Sequence, residues 1–137
     1  MAERDRRALV VYDEGCGFCT CAMAALLVWD RRRLLEPAGF ARAVALGVLD
    51  PDARAEWSRS FHLVDAGGRR SGGRALAPLL VRLPGGGPAG RLAARFPGAA
   101  ERLYRAIAGR RRPLGRLLPA RVRVRCARAV AGRTPGG

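Results

Sequence analysis

The stretch Ala8-Leu9-Val10-Val11-Tyr12-Asp13-Glu14-Gly15-Cys16-Gly17-Phe18-Cys19 decides how this chain is read. Its first five residues are a short apolar run, the pattern of a buried strand, and Asp13-Glu14-Gly15 breaks it. From Cys16 to about Arg31 the residues favour a helix, with Ala22, Met23, Ala24, Ala25, Leu26 and Leu27 and no internal proline. A strand therefore turns directly into two cysteines, spaced CxxC, that open a helix. Arg31-Arg32-Arg33 places cations near that helix's negative end.

A CxxC pair on a strand–helix unit is the signature of a thioredoxin-like redox site. A thiolate, not a thiol, attacks a disulfide. The first turn of a helix carries unpaired N–H groups and partial positive charge, and both favour the thiolate at Cys16. Cys19 lies one turn on, on the same helix face, within reach of Cys16. The expected roles are Cys16 as attacking sulfur and Cys19 as resolving sulfur, supported by Tyr12, Asp13, Gly15, Gly17 and Phe18. Gly17 keeps the approach to Cys16 open, and Phe18 offers an apolar surface beside it. The charges of Asp13 and Glu14 oppose a thiolate, and Asp13 is a candidate proton relay for Cys19. Cys21 points about 200° round the helix from Cys19, and it reads as a buried small apolar residue. Cys126, within Arg125-Cys126-Ala127-Arg128, reads as a free thiol. The competing readings of the cluster are a structural pair and a zinc site drawing on Cys16, Cys19, Cys21 and His62, although zinc usually wants four ligands and a second CxxC is missing. His62, the only histidine, reads as a packed strand residue.

Outward from this unit the pattern is less regular. Gly39 to Leu46 reads as a second strand with Phe40, Val44 and Leu46 on one face, and Asp50-Pro51 as the start of a short helix. Residues 60–73 read as a hairpin turning at Ala66-Gly67-Gly68. Arg74 to Leu83 reads as a helix, and Pro84-Gly85-Gly86-Gly87-Pro88 as a loop. Ala99 to Arg112 reads as an amphipathic helix, with Leu103, Tyr104, Ile107 and Ala108 inward and Pro113 ending it. The reading is one redox domain over 8–112, followed by a basic, partly disordered tail over 113–137.

The stretch Val10 to Cys19 resembles the opening motif of the DCC family of thiol-disulfide oxidoreductases, whose usual form is YDGxCxxC. Here the glycine is displaced by one, to Gly15. Phe61-His62-Leu63-Val64-Asp65-Ala66-Gly67-Gly68-Arg69 resembles the family's later strand and turn. Gly72-Gly73-Arg74-Ala75-Leu76 resembles its small-residue step before the next helix. Leu103 to Ala108, with Arg110 to Arg112, resembles its closing helix. The resemblance implies an α/β, thioredoxin-like fold, a small central mixed sheet flanked by helices, and a CxxC redox pair at Cys16 and Cys19; the fold expected for the whole chain adds a basic C-terminal helical extension. Thioredoxins proper carry a cis-proline opposite the motif, where this chain has Ser60-Phe61.

Composition bounds the rest. The 137 residues suit one domain. No apolar run approaches the roughly 18–20 residues of a membrane-spanning helix, and the charged start argues against a secretory signal. The expected setting is therefore cytoplasmic, with no transmembrane segment and the cysteine pair resting reduced. The net charge is +15, and it is uneven: residues 1–65 hold 9 Arg and 10 acids, and residues 66–137 hold 17 Arg and only Glu101. Lys, Asn and Gln are absent, so arginine stands in for lysine throughout. The excess in the second half points to an anionic partner or a solvated face. Only Phe96 and Tyr104 are aromatic after residue 65, which gives no stacking platform for single strands. The function expected is thiol–disulfide exchange with a protein substrate and an upstream reductant, needing no bound cofactor or metal. The rival is a basic accessory protein holding nucleic acid or an anionic membrane surface, its cysteines structural or zinc-binding.

Overall fold

A computed structural model describes residues 7–53, 55 and 61–133. Strands β1 (Ala8–Tyr12), β2 (Leu35–Gly39), β3 (His62–Asp65) and β4 (Gly68–Ser71) form one sheet in the order β2-β1-β3-β4. β1 and β2 are parallel, whereas β3 runs antiparallel to both β1 and β4. The parallel pair requires a crossover, which helix α1 (Gly17–Trp29) supplies. A mixed four-stranded sheet of this order, flanked by helices, is the thioredoxin-like architecture, as expected from the sequence.

The period-two alternation of β1 builds a core on each side of the sheet. Val10 joins Met23, Leu27, Leu63, Leu79 and Leu83 on one face. Val11 joins Ala38, Phe40, Ala43 and Leu49 on the other. The Ala22–Trp29 stripe is core in part: Met23, Ala24 and Leu27 are buried, and Val28 is exposed.

The second strand lies earlier than its expected place. Residues 40–45 form helix α2 (Phe40–Ala45), and the strand is the preceding Leu35–Gly39. Phe40, Ala43 and Val44 follow the i, i+3, i+4 spacing of a helix, which a period-two reading missed. Pro37 disguised the strand. It is tolerated because β2 is an edge strand, where a proline's missing N–H can face outward. A 3-10 turn covers Pro51–Ala53 and residue 55 is helical; residues 54 and 56–60, with Ser60 of the expected hairpin, the first six residues and the last four lie outside the described residues.

The hairpin stands where the sequence put it, followed by α3 (Gly73–Leu80). The loop expected at 84–88 leads into a helix the sequence reading missed, α4 (Gly87–Arg95). The next helix, α5 (Pro97–Ala108), turns two of the four expected residues inward, Tyr104 and Ala108, but not Leu103 and Ile107. Ala100 is buried and Tyr104 half-buried, whereas Leu103 and Ile107 are 60% and 47% exposed. The cause is close approach: a Cβ on Gly73 would overlap the Glu101 backbone, so only small or specially placed side chains fit that contact. Nor does Pro113 end α5, which stops at Ala108; Pro113 sits in the first turn of α6 (Arg111–Leu117), where a missing N–H costs nothing.

Residues 120–133, expected as a basic helical extension within a partly disordered tail, are an ordered helix α7 (Ala120–Arg133) packed on α1. Val130 is 3% exposed and belongs to the main core. Arg133 donates to the Asp30 carboxylate at 2.9 Å and to the Leu27 carbonyl at 3.2 Å. Asp30, 1% exposed, also accepts the Leu34 and Leu35 N–H groups and so fixes the start of β2.

Candidate active site

The turn after β1 is built by its own acids. Asp13 Oδ1 accepts the Gly15 N–H at 3.0 Å, and the Asp13 carbonyl accepts the Cys16 N–H at 3.1 Å. Glu14 reaches the other way and accepts the Ala41 N–H at 3.2 Å, at the start of α2. A Cβ at Gly39 would overlap that carboxylate, so the glycine makes room for it. Asp13 is half-buried rather than buried, with one oxygen committed to the turn.

Cys16 is the N-cap of α1, in extended conformation, and its Sγ accepts the Cys19 N–H at 3.4 Å. A cap acceptor opposite the third helical N–H is a common N-terminal device, usually served by Ser, Thr, Asp or Asn. Here a sulfur serves it, in the positive field of the helix end. Cys16 and Cys19 are both free and half-buried. Burial is the largest cause pushing the Cys19 thiol up, to about 12; its hydrogen bond with Cys16 and the charges of Cys16 and Asp13 push the same way, and Arg111 opposes them.

Three elements surround the pair. On the β1 side, Tyr12 is half-buried, and burial and the Glu14 charge raise its hydroxyl above the usual range. On the β3 side, Phe61 occupies the approach to the strand, and its N–H is taken by the Tyr104 hydroxyl at 2.9 Å. The two rings stand 5.3 Å apart, tilted by 54°. Burial raises Tyr104 and the Phe61 N–H opposes it; the charges of Cys19 and Arg111 also act on its hydroxyl. Beneath them, Gly72 takes φ +60°, which a side chain rarely adopts, and Gly73 donates to Glu101 Oε2 at 2.8 Å. On the third side lie α6 and α7. A Cβ on Gly115 would sit 3.3 Å from the Phe18 nitrogen, and one on Gly17 would sit 2.8 Å from Arg123 Cδ.

The structure thus brings together Tyr12, Asp13, Gly15, Cys16, Gly17, Phe18 and Cys19, with Phe61 across from them, and adds Tyr104, Arg111 and Arg123, which sequence reasoning had not tied to the site. The space over Gly17, expected to keep the approach to Cys16 open, is taken by the Arg123 side chain. His62, 5% exposed, is a strand residue opposite Val11 and Ser71. Two cysteine expectations are corrected. Cys21 and Cys126 form a disulfide between α1 and α7, their Cα atoms 4.9 Å apart, so neither is a free thiol. The 200° offset that carries Cys21 away from Cys19 turns it toward α7, where Cys126 meets it. With Cys21 so bound, the zinc set loses one of its sulfurs; among the described residues no three His, Cys, Asp or Glu side chains gather as a metal would need.

The family model for DCC1-like thiol-disulfide oxidoreductase matches residues 10–117. The chain belongs to that family. No curated protein and no solved structure gives a significant match. The DCC1-like match begins two residues into β1 and ends with α6, so it spans the cysteine motif, the sheet but for Ala8 and Leu9, and Tyr104, and leaves out α7. Among the described residues no helix is long and apolar enough to cross a membrane.

Proposed function

We propose that the protein catalyses dithiol–disulfide exchange on protein substrates through Cys16 and Cys19, within the redox unit of residues 8–112. The observation that carries this is the pair of free thiols at the α1 N-terminus, with Cys16 Sγ accepting the Cys19 N–H. The Cys16 thiolate attacks a substrate disulfide; a Cys16–substrate bond forms, and the substrate's other sulfur leaves as a thiol after taking a proton from water. Cys19, kept protonated by its burial, then loses its proton and attacks Cys16. The Cys16–Cys19 disulfide forms and the second substrate thiol leaves, so two electrons have passed to the substrate. Of the charges acting on Cys19, Arg111 favours its thiolate, which assigns Arg111 a positioning role in the resolving step. Asp13 lies near enough to act on Cys19 and is the nearby base for that proton. An external dithiol restores the reduced pair, and no bound cofactor is needed.

A disulfide-reduction assay tests the reading. Wild type turns over; Cys16→Ser is inactive, and Cys19→Ser accumulates a mixed disulfide. Loss of activity only on changing Cys21 or Cys126 would overturn it.

The cytoplasmic setting belongs to this proposal, since it keeps the pair reduced and makes the protein a reductase. The Cys21–Cys126 bond weighs against it, because structural disulfides are rare in the cytosol. Rapid alkylation in intact cells reads both pairs. The proposal expects Cys16 and Cys19 labelled and Cys21 and Cys126 protected; four labelled thiols would show that the working protein lacks the α1–α7 bond.

A further inference from the structure

The rim of the cysteine pair is cationic on one side, and its cations have no acid of their own. Helices α1 and α7 run parallel: Arg123 lies on Gly17, Cys126 bonds Cys21, and Arg133 reaches Leu27 and Asp30. The first turns of both helices therefore sit at the cysteine end. Arg123 is exposed, and Arg111 is close enough to act on both Cys19 and Tyr104. Neither is in an ion pair among the described residues. Of the nearby acids, Glu101 pairs with Arg105, while Asp13 and Glu14 hold the Gly15 and Ala41 N–H groups and neither forms an ion pair with Arg111 or Arg123. Apolar side chains flank this rim. Leu114 and Leu117 share a face of α6 and are 38% and 78% exposed, and Val124 of α7 is 50% exposed beside Arg121, Arg125 and Arg128.

We infer that the α6–α7 rim is a docking surface for an acidic polypeptide whose disulfide is flanked by carboxylates and an aliphatic side chain. The inference rests on the exchange reaction proposed above and names its substrate class. Charge complementarity carries it: arginines outside the described ion pairs, Arg111 near Cys19 and Arg123 against Gly17, concentrate an anionic chain at the cysteine motif and repel a basic one. The electrons follow the course already given, from the reduced pair to the substrate disulfide, and an external dithiol resupplies them.

The test uses the full chain, excess dithiothreitol, and three disulfide peptides of equal length with acidic, neutral or basic flanks. Hydroxyethyl disulfide, small and uncharged, reports the chemistry apart from docking. At low salt kcat/KM for the acidic peptide is expected to exceed that for the basic one by at least about tenfold, and the gap closes near 0.5 M salt, roughly where screening shortens to a few ångströms. Arg123→Glu is expected to abolish or reverse the ratio between the two peptides. Equal rates for all three peptides alongside turnover of hydroxyethyl disulfide would overturn the docking surface and leave the exchange reaction standing. If hydroxyethyl disulfide is not reduced, binding is read by fluorescence anisotropy on the Cys16→Ala chain, with a labelled acidic peptide lacking cysteine. Salt-sensitive binding lost in Arg123→Glu would keep the docking surface. Binding of RNA or anionic vesicles with none of the acidic peptide would overturn it.

Discussion

Cys16 and Cys19 differ in what surrounds their sulfurs, and that difference sets the order of their reactions. Cys16 Sγ sits on a helix-end N–H, whereas burial holds Cys19 protonated with a pKa of about 12. Iodoacetamide at neutral pH should therefore modify Cys16 and spare Cys19, as peptide mapping of a brief reaction would show. The same shift carries a pH signature. Because the folded protein raises Cys19 above its ordinary value of 9.0, the resulting stability is fully present below about pH 9 and is lost as pH rises toward 12. Denaturant midpoints should fall across that window in wild type and fall less in Cys19→Ser. The two cysteines and the acids before them were legible in the sequence because a strand, a turn and a helix start each leave local marks. Tyr104, Arg111 and Arg123 were not tied to the site, because they arrive from helices 80 or more residues away and nothing local to them points at a sulfur.

The helices that frame the site are held by a few specific contacts. In α7 the inward residues Val122, Cys126, Val130 and Arg133 follow an i, i+4, i+8, i+11 stripe, and their neighbours are largely exposed. That stripe was present in the sequence, but it is thin and set among arginines and flanking prolines, so the segment read as a tail. The Cys21–Cys126 bond closes a separation of 105 residues; loop-closure entropy at that length gives about 4–5 kcal/mol at most, and measured values more often lie near 2–4 kcal/mol. Cys126→Ser should lower stability by about that amount in urea unfolding and raise hydrogen exchange first in α7. At the other end of the site, Gly73→Ala would drive a methyl into the Glu101 backbone and is expected to cost about 2 kcal/mol or more, as overpacking does. The hairpin has an acid-sensitive tie. Burial pushes Asp65 up, but the Gly67 N–H, Arg82 and Arg70 outweigh it and hold the carboxyl below its usual range. Its contribution is therefore present above about pH 4 and is lost as pH falls further; Asp65→Asn should flatten the acid limb of the stability curve.

Across the whole molecule, a near-neutral first half carries the Cys16–Cys19 motif and most of the sheet, and a strongly basic second half wraps one side of it. The architecture was legible from the β1–turn–α1 unit and the hairpin, whose patterns are local. The edge strand and the exposure of Leu103 and Ile107 on α5 were not, since each depends on tertiary contacts that override local pattern, Pro37 at a sheet edge and Gly73 against Glu101. Part of the arginine excess, ambiguous in the sequence, acquires a location: Arg111 and Arg123 stand beside the cysteine motif. The central claim is that Cys16 is the sulfur that meets substrate. It is tested most directly by incubating Cys19→Ser with a disulfide peptide and mapping the trapped adduct by mass spectrometry. The account predicts peptide on Cys16 with the Cys21–Cys126 bond intact; peptide on Cys21 or Cys126, with Cys16 unmodified, would contradict it.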